Sequence, residues 1–138
     1  MSGYIEALCL FQQGLLHLQQ GEYEPAAKNF SGAITRFESN EIFHFHHGLA
    51  LCQLGEWDQA RLAFARAWEL NPQSADPAYG LALVLEAQGE LKRAEQWYDQ
   101  ARSLAAKNSR AISPKLAGLG RKMGRKPASR KTSPPFPA

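Results

Sequence analysis

Ala26, Ala60 and Ala94 stand 34 residues apart, and their surroundings recur with them. Four positions after each comes an aromatic ring (Phe30, Phe64, Tyr98), and three further on a second alanine (Ala33, Ala67, Ala101). Five positions before each stands a glycine (Gly21, Gly55, Gly89), and two residues past that glycine come Tyr23, Trp57 and Leu91. Five columns in register at one period require a row of stacked units, each burying its apolar side only against a neighbour.

Within a unit the apolar residues recur at three and four, the spacing of an amphipathic helix. The pattern predicts six helices, roughly 4–20, 23–37, 41–54, 57–70, 75–88 and 91–106. In the middle unit Gly55-Glu56 separates the two helices, and Pro72 stops the second. Gly14 and Gly48 fall inside helices, where glycine costs roughly 0.5–1 kcal/mol relative to alanine. Close approach of the paired helix is the expected compensation, with the alanine columns packing from the other side.

Period and columns together resemble the tetratricopeptide repeat, a helix–turn–helix unit with a helix glycine, Ala-x3-Phe, a second alanine and a proline. Residues 41–74 carry Gly48, Ala60, Phe64, Ala67 and Pro72 in place. Residues 7–40 keep Gly14, Ala26, Phe30 and Ala33 but have Glu38 for the proline, and residues 75–108 have Ala82 for the glycine and Ala106 for the proline. The resemblance implies an all-α solenoid of three units over residues 1–108. A capping segment over the third unit is expected at 109–119, and a disordered, basic, proline-rich tail at 120–138.

Three of the four histidines, His44, His46 and His47, lie in one short stretch, "FHFHHG". In the repeat register His17, His44 and His47 fill slots that face the paired helix, and His46 points away. His44 and His47 share a helix face, yet no cysteine or carboxylate stands at ligand spacing beside them. Core packing is therefore expected, with no metal and no cofactor. Cys9 and Cys52 are too few for a disulfide framework and are expected as small buried residues in a reducing compartment. No run of 18 apolar residues exists, and the first residues do not form a signal peptide, so a cytoplasmic protein is expected.

The resemblance implies that the first helix of each unit lines a concave groove. Carried over, the groove positions are Leu8, Phe11, Leu15 and Leu18, then Ile42, Phe45, Leu49 and Cys52, then Asp76, Tyr79, Leu83 and Glu86. This is an apolar stripe, with Phe11, Phe45 and Tyr79 as one aromatic anchor per unit, suited to a partner peptide or a second copy of the chain. No basic residue stands among these positions, which disfavours a clamp for terminal carboxylates. Groove character and size resemble the small chaperones of bacterial secretion systems.

Charge divides the chain sharply. Residues 1–99 hold 6 basic and 13 acidic groups, net −7, whereas residues 100–138 hold 10 basic groups and no acid, net +10. The basic pairs Arg121-Lys122, Arg125-Lys126 and Arg130-Lys131 fit nucleic acid or another anionic surface. Glycine-rich phosphate loops, nucleophile motifs and convergent carboxylates are missing from the sequence, so no enzyme is expected. The sequence points to a protein-binding scaffold, an adaptor or chaperone-like module. Its alternative is a nucleic-acid- or ribosome-associated protein anchored by the tail.

Overall fold

The computed structural model describes residues 2–109 and 111–122, without the side chains of residues 2, 121 and 122. Six helices form three hairpins: α1 (Ser2–Gln19) with α2 (Tyr23–Arg36), α3 (Glu41–Gln53) with α4 (Trp57–Leu70), and α5 (Ala75–Ala87) with α6 (Leu91–Lys107). All six lie within two residues of their predicted boundaries. A seventh, α7 (Pro114–Lys122), follows. Helices α2 and α4 also pack on α3 and α5 of the next hairpin, and α3 touches both α1 and α5, so α1, α3 and α5 build one continuous face. Among the described residues no helix is long and apolar enough to cross a membrane.

Each hairpin turns in the same way. Gly21, Gly55 and Gly89 adopt φ of +78°, +76° and +84°, a left-handed conformation that glycine reaches without a Cβ penalty. The next residue then donates its backbone N–H back into the finished helix: Glu22 to the His17 carbonyl, Glu56 to Leu51 and Glu90 to Leu85, at 2.8–2.9 Å. This Schellman closure satisfies carbonyls that the helix end would otherwise orphan.

The alanine and aromatic columns form the core, where Ala26, Ala60, Ala94, Phe30, Phe64 and Tyr98 are at most 6% exposed. A Cβ built on Gly14 would lie 2.6 Å from Phe30, and one on Gly48 would lie 2.8 Å from Phe64. The glycines are there for space, as the pattern predicts. Gly80 adds a contact that the columns do not announce: its Cβ would lie 2.7 Å from the same Phe64 ring. Phe64 is therefore clasped between Gly48 of its own hairpin and Gly80 of the next.

Candidate partner-binding face

The segment after α6 does not simply cover the end of the third hairpin. Ser113 donates its backbone N–H to Asp76 Oδ1 at 2.9 Å, which ties the chain to the start of α5. Pro114 then occupies the first helical position, where its missing N–H costs nothing. From there α7 lies on the face built by α1, α3 and α5. Leu116 (0% exposed) and Leu119 (3%) join the main core with Phe45, Leu49 and Leu83. The expected cap at 109–119 is thus a helix that continues to Lys122 and packs across the inner face. Leu116 and Leu119 recur at three, so they share one side of α7, and burial of that pair selects this site.

Two clefts flank α7, and Lys115 lines both. The larger, about 640 Å³, is walled by Leu15, Leu16, Leu18, Tyr23 and Leu49, with Leu119 of α7 as one border. The smaller, about 470 Å³, mixes Ile42 and Phe45 with the polar groups of Glu41, Asn71 and Asp76. One end of the face is therefore apolar and the other acidic.

Of the groove positions read from the sequence, Leu15, Leu18, Ile42, Phe45, Leu49 and Asp76 border these clefts. Leu8 is exposed, and neither cleft includes it. Phe11 packs against Phe30 and Phe43, with ring centroids 5.5 and 4.9 Å apart. Tyr79 packs edge-on against Tyr98 at 5.2 Å, while Leu83 and Cys52 are core. Burial raises the Cys52 thiol to about 12, so it stays protonated, whereas Cys9 is exposed, contrary to expectation. Glu86 accepts the Tyr98 hydroxyl at 2.6 Å. Sequence reasoning missed Leu16 and Tyr23 in the larger cleft and Glu41 and Asn71 in the smaller. Leu16 adjoins the apolar stripe, and the signal for it was a second apolar residue beside Leu15.

The histidines of the cluster pack against neighbouring helices. His44 is buried and its Nε2–H donates to the Glu38 carbonyl at 2.8 Å, as a core histidine should. His46 turns from α4 towards the preceding hairpin rather than into solvent. Its Nδ1–H donates to the Ile42 carbonyl at 2.9 Å, and its ring stands edge-on to Phe11 (5.2 Å) and Phe45 (5.3 Å), 6.0 Å from Phe30. Nε2 is left to accept from the Lys115 ammonium at 3.5 Å. Desolvation lowers His46 to about 4 despite its bond to Ile42, and Lys115 lowers it further. His47 is likewise lowered to about 4, by burial and then by His44. His17 departs from its expected core slot: 37% of its side chain is exposed, and Nδ1 pairs with Glu22 Oε1 at 2.7 Å across the Gly21 turn. A glutamate one residue past the turn reaches back and holds the ring at the surface. Among the described residues no three metal-ligating side chains come together. Arg121 and Lys122 belong to the last turn of α7, and Arg125, Lys126, Arg130 and Lys131 lie outside the described residues.

The type IV pilus assembly protein PilF of Pseudomonas aeruginosa is 34% identical over 65 residues, which is 47% of this chain and 26% of that protein. This chain thus spans about a quarter of that relative's length. Among solved structures, the TPR2B domain of yeast Sti1, in its pHsp70 complex, superposes with a TM-score of 0.75 at 20% identity, over 87% of this chain and 97% of that one. The Yersinia enterocolitica type III secretion translocator chaperone SycD superposes with a TM-score of 0.70 at 21% identity, over 86% of each chain. At these identities the likeness is one of fold. The sequence profile of the tetratricopeptide repeat matches residues 11–75 and again 45–109, and the chain belongs to the tetratricopeptide repeat family.

Proposed function

We propose that the chain is a protein-interaction module, an adaptor or chaperone-like protein that receives a segment of a partner on the face formed by α1, α3 and α5. One observation carries this: a stretch of peptide chain, α7, is already seated there through two leucines. Leu15, Leu16, Leu18 and Leu49 form the apolar end of the site, and Ile42 and Phe45 border the acidic end. A Sti1 domain of this fold is seen in complex with pHsp70, and SycD is a secretion chaperone, which supports the same use of the fold here. Terminal-carboxylate capture fits poorly, because Glu41 and Asp76 would repel a carboxylate that needs cationic donors.

Leu16 is 58% exposed and Ile42 48%, so aspartate at both positions leaves the core intact. Wild-type chain should retain a protein partner in affinity capture. Titration of that partner against the Leu16→Asp/Ile42→Asp variant should show affinity reduced at least about tenfold, the scale expected for losing interface anchors. Undiminished affinity would move the binding surface elsewhere.

A second reading, a polyanion held by the basic tail, is favoured by the split of −7 and +10 along the chain. If all six paired basic residues engage duplex DNA, affinity should fall about 10³-fold between 50 and 200 mM salt, through counterion release. The informative truncation removes residues 123–138 and spares α7, whose leucines belong to the core. Salt-independent binding, or binding that survives this truncation, would discard the tail as an anchor.

A further inference from the structure

We infer that α7 is a built-in competitor for the partner site, and that the partner segment it imitates is an amphipathic helix with a cation followed by leucines at the first and fourth positions after it. The inference rests on the proposed function and adds the chemistry of the ligand.

Three observations define that chemistry. Lys115 meets the His46 Nε2 lone pair and lines the same cleft as Glu41 and Asp76, so this end of the site selects positive charge. Leu116 and Leu119 are buried in the cluster that holds Phe45 and Leu49, so the next four residues must present two leucines on one helix side. Beyond Leu119 the larger cleft continues along Leu15, Leu16 and Leu18, with Pro114, Lys115, Gly118 and Leu119 as its border among the described residues. A longer helix of the same pattern would cover more of it.

The occupant is also a weak helix by itself. Helix α7 has nine residues, and Gly118 and Gly120 are two of them. A helix this short and glycine-rich does not persist without its docking contacts. Among the described residues its attachments to the repeats include the Ser113 bond to Asp76 and the long bond from Lys115 to His46. Tethered by the short link after α6, it competes at about millimolar effective concentration, which raises the threshold for an external helix without blocking it.

The probe is a fluorescein-labelled peptide of residues 111–122, titrated by anisotropy against full-length chains. Wild type is compared with Leu116→Asp/Leu119→Asp, which releases α7, and with Lys115→Glu, which turns a carboxylate toward Glu41 and Asp76. The released chain should bind the peptide at least about tenfold more tightly than wild type, with Lys115→Glu between them. A peptide carrying aspartate at both leucines should not bind. Far-UV circular dichroism checks that the six repeat helices persist. If the double variant loses them, Lys115→Glu, altered at an exposed side chain, carries the comparison alone.

Equal peptide affinity for wild type and the folded variants would overturn the proposal, and so would no binding to any of them. A wild-type dimer in sedimentation that vanishes with Leu116→Asp/Leu119→Asp would also overturn it, by making α7 an exchanged element between two copies. The proposed function fails separately, through the Leu16→Asp/Ile42→Asp titration, which involves no α7 peptide.

Discussion

Leucine in place of Gly48 should destabilise the fold by on the order of 3 kcal/mol, near the upper end of overpacking costs. Even the first added carbon would lie 2.8–2.9 Å from three atoms of the Phe64 ring. The ring has little room to yield, because Gly80 of the next hairpin stands equally close to it. Helix propensity acts in the opposite direction by roughly 0.5–1 kcal/mol, too little to offset the clash. For a chain of this size the net loss corresponds to a melting temperature lower by about 10 °C. Leu62→Ala, at a side chain 70% exposed, should stay within about 0.5 kcal/mol of wild type and serves as the control. Adding Phe64→Leu to Gly48→Leu should recover part of the loss, since the two residues share one space. A near-wild-type melt for Gly48→Leu would refute the clasped-ring packing.

Acidification should weaken the fold well before the carboxylates dominate. His46 and His47 titrate near 4 in the folded chain, against about 6.5 when exposed in the unfolded one. Between those values the unfolded chain takes up two protons that the folded chain refuses, so stability declines as pH falls from 6.5 towards 4. Their contribution is fully present above about 6.5 and flattens below about 4. Its full extent is roughly 3 kcal/mol per histidine. Urea unfolding from about pH 7 to about 4.5 reads this directly, and His46→Gln and His47→Gln should each make the profile shallower. A wild-type profile that is flat across this range would mean the rings are hydrated in the fold.

The two expectations differ in how much of their basis a sequence displays. Gly14, Gly48 and the alanine columns repeat at 34, so stacking and its close approaches are legible from spacing alone. Gly80 and His46 also stand 34 apart, but they differ in kind, and a comparison of like residues passes over them. The Gly80 clasp and the ring of His46 against Phe30 came only from the packed hairpins. The candidate face was legible in part for a similar reason. Helical spacing places Leu15, Leu18, Ile42, Phe45 and Leu49 on one side, but it carries no information about a segment returning from residue 114. Seating α7 depends on Ser113 reaching Asp76, a contact 37 positions apart that no local period encodes. Phe11 and Tyr79 were legible as aromatic, and which neighbour each ring would choose was not.

The clasp on Phe64 bears on how such an array could lengthen. In the first joint the ring of Phe30 meets Gly14 on one side and His46 on the other, whereas in the second joint Phe64 meets glycine on both. The hairpins share a period but not a socket. Were residues 41–74 duplicated in tandem, the new copy would set a histidine against Phe64 and Gly48, the same trio that His46, Phe30 and Gly14 form in the first joint. Nearest-neighbour fit is what holds a solenoid together. The middle hairpin can therefore be followed by a unit with glycine or with histidine at this position, and a unit's neighbour is read from the residue it offers to that ring.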